Sequence, residues 1–212
     1  MAARTCGDES VTAGRGAGQR GWYEWASRHV AGCAVLDAGC GLGYGLPILA
    51  RTAASVRGQD LDPRLRSELV DIVPLDDIPG GSFDVVLAVD VVEHVEDDRG
   101  FVAHLARIAR RRVILTTPNW TASRNVWPYH VREYTPWQLR DLCAPFGACR
   151  MWKGTPDGSE VHPIRHPYWN DCLNRWRVPA PSAQAVRVLN RLLPSKSRIH
   201  SHLAIMIDRS HR

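Results

Sequence analysis

Short apolar runs recur along the chain and alternate with segments in which apolar residues follow a helical spacing. The runs predict strands at residues 34–37, 54–60, 69–73, 83–89 and 113–117, with closing strands at 148–152 and 202–207. The helical spacing predicts helices at residues 21–31, 99–110 and 135–146. Because residues 83–89 are apolar throughout, that strand is expected to be buried on both faces of a parallel sheet.

Strands that alternate with helices in this way predict an α/β fold with a doubly wound, Rossmann-like, mostly parallel sheet of seven strands. Residues 1–20 are small and polar and predict a flexible tail, so residues 21–212 form the single domain. Prolines interrupt the alternation over about residues 153–198, which we interpret as a cap over the acceptor side of the sheet.

Composition excludes several other classes of protein. Hydrophobic residues make up 44% and charged residues 23%, as in soluble globular proteins, and no apolar stretch is long enough to span a membrane. The N-terminus has no signal-peptide core and the six cysteines form no CxxC pair, which predicts a cytoplasmic protein with reduced thiols. The net charge of +5 comes mostly from dispersed arginines; the one tight run, residues 110–112, is expected at a helix C-terminus. Nucleic-acid binding is therefore disfavoured.

The segment VLDAGCGLGYG at residues 35–45 joins the first predicted strand to a helix. Its alternate glycines allow a tight turn and a close backbone approach to a ligand, and Asp60 at the end of the second strand can accept hydrogen bonds from ribose hydroxyls. Dinucleotide sites use a GxGxxG spacing. This segment instead has the spacing DxGxGxG, with an acid before the first glycine. A carboxylate there repels phosphate and suits an amino group, so S-adenosylmethionine (SAM) is favoured over NAD.

The sequence resembles the class I SAM-dependent methyltransferases, in particular the bacterial small-molecule type. The matching segments span about residues 30–150 and are VLDAGCGLGYG, GQDLDP, GSFDVVLAVDVVEHV, ILTTPN and HVREYTPWQL. The resemblance implies that Asp37 and the glycines line the methionine end of SAM, that Asp60 holds the ribose and that Asp90 lies beside the methyl donor. We assign these residues to the donor site: Tyr23, Asp37, Gly39, Cys40, Gly41, Gly43, Asp60, Leu61, Asp76 and Asp90.

Two of these assignments have less support than the rest. Asp76 is the candidate for an adenine contact, although the helix that usually follows the second strand is almost absent from this sequence. Tyr23 lies on the first predicted helix, where it either closes over the donor or packs in the core.

Ligand-type residues follow the fourth strand in DVVEHV, and His130 follows the fifth. Asp90, Glu93, His94 and His130 resemble the acid-x-x-Glu-His…His metal set of small-RNA 2′-O-methyltransferases and some ubiquinone-pathway enzymes. This resemblance implies a site for Mg²⁺ or Mn²⁺ that acidifies an acceptor hydroxyl. The alternatives are a metal-free catalytic role, with His130 as general base, and a structural role.

We therefore predict a SAM-dependent O-methyltransferase acting on a small polar acceptor, with Glu93, His94 and His130 as catalytic residues. A sugar or glycosylated metabolite is the first candidate, and six of the eight tryptophans follow the fifth strand, where the acceptor is expected. The alternatives are a phenol or catechol enzyme, an RNA ribose 2′-O-methyltransferase and a SAM-binding partner protein without turnover. His162 and His166, near Glu160, are expected in a surface loop. The sequence is also compatible with a homodimer.

Overall fold

A computed structural model describes residues 18–123, 127–165 and 183–209. Its central feature is one eight-stranded sheet with the order β3-β2-β1-β4-β5-β8-β6-β7. The strands are β1 Ala34–Ala38, β2 Ser55–Asp60, β3 Val70–Ile72, β4 Phe83–Val89, β5 Ala109–Pro118, β6 Ala148–Gly154, β7 Val161–Pro163 and β8 His202–Asp208. The first five pair in parallel, and β8 enters antiparallel between β5 and β6.

Helices cover both faces of the sheet. The α-helices among the described residues are α1 Arg20–Ser27, α2 Leu46–Leu49, α3 Asp98–Ile108, α4 Trp120–Ser123, α5 Pro136–Cys143 and α6 Ala183–Leu192. Short 3₁₀ helices are η1 Pro63–Leu65, η2 Leu75–Asp77, η3 Val92–His94, η4 Ala144–Phe146 and η5 Ser195–Ser197. None of the helices described is long and apolar enough to cross a bilayer.

Alternating side chains of the central strands build two cores, one on each face of the sheet. Leu115 and Leu203 pack with α3 and α5 on one face, whereas Ile114 and Met206 pack with Trp22 of α1 on the other. The helix α5 begins as the sequence predicts, because Thr135 and Gln138 form a capping box and Pro136 occupies the first turn.

The α/β fold is confirmed, but three details differ from the sequence-based expectations. The sheet has eight strands and not seven, because residues 161–163 of the expected cap form a hairpin with β6. The helix α1 begins at Arg20 and Gln19 contacts Asp90, so the expected tail does not extend to residue 20; residues 1–17 lie outside the described residues. Arg110 and its two neighbours lie in β5 and not at a helix C-terminus.

Candidate functional site

A glycine-rich loop follows β1 at the carboxyl edge of the sheet. Gly39, Gly41 and Gly43 all have left-handed backbone angles, with φ of +72°, +57° and +74°. A Cβ atom on Gly39 would lie 2.8 Å from Cγ2 of Val91, so the backbone there packs too closely for any side chain. Conformation therefore favours glycine at all three positions, and at Gly39 the lack of space excludes a side chain as well.

The loop is fixed to the end of β2 by backbone hydrogen bonds. The N–H groups of Gly39 and Cys40 donate to the carbonyl oxygen of Gln59, at 2.7 and 3.1 Å. The Cys40 side chain packs with Leu46 and Val70, and burial raises the pKa of its thiol. Cys40 therefore contributes its backbone to the loop and its side chain to the core.

Asp60 connects the loop to the second strand. Its Oδ2 accepts a hydrogen bond from Gly41 N at 2.9 Å, and its Oδ1 accepts from Leu61 N and Asp62 N at 2.7 and 3.1 Å. Oδ2 has capacity for a further donor, because a carboxylate oxygen accepts two hydrogen bonds. Asp60 can thus hold the loop and receive a ligand hydroxyl at the same time.

Asp37, at the end of β1, is a fully buried acid. Its Oδ2 accepts a hydrogen bond from the Tyr23 hydroxyl at 2.9 Å, whereas its Oδ1 is buried without a hydrogen-bond partner. Burial raises the pKa of Asp37 to about 7, despite the opposing hydrogen bond from Tyr23. A buried oxygen of this kind costs free energy until a donor reaches it, which favours a ligand with an amino group.

Asp90 follows β4 in a strained left-handed conformation, with φ of +52°. Its carboxylate accepts from Thr116 Oγ1 at 2.8 Å and from Gln19 Nε2 at 3.0 Å, and His202 Nε2 lies 3.4 Å away. Burial alone would raise the pKa of Asp90, but the charge and hydrogen bond of His202, with those of Thr116 and Gln19, lower it to about 2. This acid is therefore ionised.

Glu93, His94 and His130 form a second group of polar side chains, which we call the His–Glu cluster. One ligand-type atom from each residue lies within 4.8 Å of the others, and the two imidazole centroids are 4.8 Å apart. Glu93 is fully buried and its Oε2 accepts from Thr117 Oγ1 at 3.0 Å.

Both imidazoles of the cluster are oriented through Nδ1. His94 Nδ1 lies 3.0 Å from the carbonyl oxygen of Tyr129, and His130 Nδ1 lies 2.9 Å from Oε1 of Glu133. When Nδ1–H donates to such an oxygen, Nε2 has the lone pair, which is the arrangement that metal-bound histidines show.

The structure corrects the prediction that Asp90 belongs to this metal set. Thr116 and Thr117 are consecutive in β5, so their side chains point to opposite faces of the sheet. Thr116 contacts Asp90 and Thr117 contacts Glu93, which places the two acids on different faces. Of the four predicted residues, Glu93, His94 and His130 are therefore the ones grouped closely enough to hold a metal ion, without Asp90.

Asp76 also differs from its predicted role. It lies in η2, where its carboxylate contacts His104 Nδ1 of α3 at 2.9 Å and its side chain is 72% exposed. The carboxylate engages α3 and not the glycine loop. The structure thus gives no support to an adenine contact by Asp76.

Residues 36–116 match the family model described as a methyltransferase domain. The chain is also 34% identical, over 145 residues, to a protein of Mycolicibacterium smegmatis named as a probable S-adenosylmethionine-dependent methyltransferase. Residues 36–116 are therefore identified as a methyltransferase domain, and over this region the chain is similar to SAM-dependent methyltransferases. That match covers 59% of this chain and 55% of the relative, so this methyltransferase chain spans about half the length of the curated relatives that it matches.

Two further comparisons agree with this assignment. A ubiquinone biosynthesis O-methyltransferase of Xanthomonas oryzae is 33% identical over 116 residues, or 47% of this chain and 48% of that one. A crystal structure of a SAM-dependent methyltransferase from Archaeoglobus fulgidus superposes with a TM-score of 0.57 at 18% identity, covering 88% of this chain and 94% of that chain. At that identity the superposition shows the methyltransferase fold alone.

Several residues of the candidate site carry no clear signal in the sequence. The sequence places Gln19 in the expected tail, and it marks Thr116 and Thr117 as strand residues without indicating a function. His202 is the first residue of β8, and because β8 is antiparallel to β5, that residue lies at the carboxyl edge of the sheet beside Asp90. The Thr-Thr pair at the end of β5 is a local signal for two polar contacts on opposite faces. The position of His202 near Asp90 follows only from the antiparallel direction of β8, which places the first residue of β8 beside the last residue of β5.

Proposed function

We propose that this chain transfers a methyl group from SAM to a hydroxyl group of a small polar acceptor, with a divalent cation held by Glu93, His94 and His130. The observation that supports this proposal best is the convergence of two oriented imidazoles and a buried carboxylate at the carboxyl edge of the sheet. Ligands of open α/β sheets bind at that edge.

The donor pocket has the groups that SAM requires. Asp37 Oδ1 is a buried acceptor suited to the amino group of the methionine part, and Asp60 Oδ2 has capacity for a ribose hydroxyl. Asp90 is ionised and faces the positively charged sulfonium in this arrangement. The glycine loop lets the donor lie against the backbone between these acids.

The His–Glu cluster supplies the activation that an aliphatic hydroxyl needs, because such a hydroxyl is poorly acidic. A cation bound by these three residues would lower the pKa of a coordinated hydroxyl. The ligands are held in place by Thr117, by the carbonyl of Tyr129 and by Glu133. The donor itself needs alignment more than activation, since its leaving group is already good.

The acceptor class is proposed from the surface next to the cluster. Trp127 and Tyr129 lie side by side, with ring centroids 5.0 Å apart, and are 39% and 41% exposed. The Trp127 ring also lies 5.5 Å from that of His130. An exposed aromatic pair beside the reacting centre suits the apolar face of a sugar, so a sugar or a glycosylated metabolite is the acceptor we favour.

The first test is calorimetric titration of Mg²⁺ and Mn²⁺ into the S-adenosylhomocysteine complex of EDTA-treated protein. We expect saturable binding to the wild type, none to a Glu93→Ala, His94→Ala double variant, and unchanged binding to a control variant, His104→Ala, whose imidazole contacts Asp76. Equal binding by the double variant would contradict the metal assignment. Absence of binding to all three would leave His130 as the general base.

The second test measures S-adenosylhomocysteine release with sugars, catechols and short RNA oligonucleotides as acceptors. Turnover with sugars supports the favoured class, whereas turnover with catechols or RNA ends reassigns the acceptor to that class. Failure to bind S-adenosylhomocysteine at all would contradict the proposed donor. Donor binding without turnover on any acceptor would favour a partner-binding role.

A further inference from the structure

A second group of metal-ligating side chains lies outside the donor pocket and the His–Glu cluster. It consists of Glu160, His162, His200 and Ser195, and we call it the cap cluster. Glu160 precedes β7, His162 lies within β7, Ser195 begins η5 and His200 precedes β8. The sequence places Glu160 and His162 in a surface loop, but the fold brings them to two residues that are more than 30 positions away; His166 lies outside the described residues.

The ligand-type atoms of Glu160, His162 and His200 lie within 4.8 Å of one another. The two imidazole centroids are 5.4 Å apart. Ser195 Oγ lies between the other two side chains, because it donates to Oε2 of Glu160 and lies 2.9 Å from Nε2 of His162. His200 Nε2 lies 2.9 Å from the carbonyl oxygen of Ser195, a contact in which the ring N–H donates.

The segment that presents His200 is fixed by side chains from three other parts of the fold. Lys153 donates to the carbonyl oxygen of Arg198 at 2.6 Å, and Asn190 bonds both the N–H and the carbonyl of Ile199. Asn119 donates to the carbonyl oxygen of His200 at 2.8 Å, and His200 itself is buried. The position of this imidazole is therefore built into the fold before any ligand arrives.

The charges around the cap cluster decide which ions would suit it. Lys153 and Arg198 both act electrostatically on the cluster, and Glu160 is its single acid. Mg²⁺ and Ca²⁺ would need several further oxygen ligands here; at the His–Glu cluster, which has the same protein donors, the proposed acceptor hydroxyl would supply one of them. Two histidines with one carboxylate are a familiar donor set for Zn²⁺.

We propose that the cap cluster is a second, structural metal site for Zn²⁺ or a similar borderline transition-metal ion, bound by Glu160, His162 and His200. Ser195 holds the ligands together in the metal-free protein, and its hydroxyl is within reach of the fourth coordination position. The ion joins the edge strand β7 to the segment between α6 and β8. A three-residue edge strand makes few hydrogen bonds of its own, so a cross-link at this point has a direct stabilising role.

The test is equilibrium dialysis of the EDTA-treated 212-residue chain against Zn²⁺, with metal analysis of the protein, and visible absorption of the Co²⁺ form. The variant Glu160→Gln, His162→Asn changes two partly exposed ligands and leaves buried His200 in place. Its matched control, called the α3 control, is Asp76→Asn, His104→Asn, which removes another partly exposed acid–histidine pair, between η2 and α3. The variant His130→Asn separates this site from the His–Glu cluster.

We expect the wild type, the α3 control and His130→Asn to retain one Zn²⁺ that the cap-cluster variant loses. We expect that ion to raise the Tm of the first three proteins and not of the cap-cluster variant, and the Co²⁺ form to show the intense visible bands of a four-coordinate ion. Retention of all bound Zn²⁺ by the cap-cluster variant would overturn the proposal, as would a complete loss of Zn²⁺ in His130→Asn. The second result would still support the His–Glu cluster, so failures of the two metal sites are distinguishable.

Discussion

Thr116 and Thr117 are neighbours in β5, yet each hydrogen-bonds an acid on a different face of the sheet. Thr116 donates to Asp90 in the proposed donor pocket, and Thr117 donates to Glu93 in the His–Glu cluster. The peptide unit between Thr116 and Thr117 thus connects the proposed donor pocket to the His–Glu cluster. It fixes the position of Asp90 relative to that of Glu93.

This relationship provides a matched pair of variants. Thr117→Val removes the hydroxyl that orients Glu93, so we expect Mn²⁺ affinity to fall about 10- to 100-fold while S-adenosylhomocysteine affinity is retained. Thr116→Val is expected to weaken donor binding and leave Mn²⁺ affinity unchanged. Titration calorimetry of both ligands measures the two effects, and equal effects of the two substitutions on Mn²⁺ would contradict the separation of the clusters.

Donor binding should depend on pH through Asp37. Its pKa is raised to about 7 by burial, and the amino group of SAM binds the ionised form. We therefore expect SAM affinity to increase as the pH rises through about 7. Because the hydrogen bond from Tyr23 lowers this pKa, Tyr23→Phe should move the midpoint to higher pH. Calorimetry from about pH 6 to about pH 8.5 measures the midpoint, and the same midpoint in Asp37→Asn would assign it to another group.

The same acid affects the stability of the donor-free protein with a defined sign. A carboxyl group whose pKa is raised by folding binds more protons in the native state than in the unfolded state. Its contribution to stability is present at acid pH and is lost as the pH rises toward about 7. Asp37→Asn should therefore raise the Tm at alkaline pH more than at acid pH. Thermal unfolding at two pH values checks this, and a uniform shift would contradict it.

Alanine substitutions at Gly39 and Gly32 distinguish the effect of backbone strain from the effect of steric overlap. Both have positive φ, +72° and +67°, but a Cβ atom on Gly32 meets nothing within 4 Å, whereas one on Gly39 overlaps Val91. Gly32→Ala should cost about 1–2 kcal/mol of stability and leave donor affinity intact. Gly39→Ala should cost about 1–3 kcal/mol more and lose donor binding. Urea unfolding and calorimetry distinguish the two, and normal donor binding by Gly39→Ala would show that the loop tolerates a side chain.

Asp60 is expected to be essential for donor binding. In Asp60→Asn the carboxylate that accepts three backbone N–H groups becomes a neutral amide, and hydrogen bonds to charged groups contribute about 1.5–3 kcal/mol each. We expect S-adenosylhomocysteine affinity to fall at least about tenfold. Asp62→Asn is the control, because Asp62 caps η1 and pairs with Arg64. An equal loss in both variants would indicate a disturbed loop and not a ribose contact.

The sequence predicts the glycine loop and its position after β1 because the signals for them are local. The glycines, Asp37 and Asp60 lie at strand ends and depend only on the alternation of strands and helices. Gln19 and His202 could not be assigned in the same way, because they reach Asp90 from the N-terminal helix and the last strand. Their roles follow from packing between residues that are more than 70 positions from Asp90.

The metal set shows why a motif can mislead about geometry. Asp90, Glu93 and His94 read as one group in sequence, but Asp90 takes a left-handed conformation and η3 begins two residues later. That local change of direction sends Asp90 and Glu93 to opposite faces. The strand β7 carries no visible signal in the sequence for a simpler reason. It has only three residues and ends in Pro163, so it is too short to show an alternation of apolar and polar positions.

The short connection between β2 and β3 has a consequence for the choice of cofactor analogue. Residues 61–69 contain a single 3₁₀ helix, and Leu61 and Leu69 are 44% and 51% exposed. With the ribose at Asp60, a purine ring directed toward this connection would lie beside exposed Leu61 and Leu69 and the single 3₁₀ helix η1. We therefore expect SAM analogues with a bulky N6-alkyl group to support turnover with nearly unchanged kcat/KM. Such analogues would then serve as orthogonal labelling reagents for this chain.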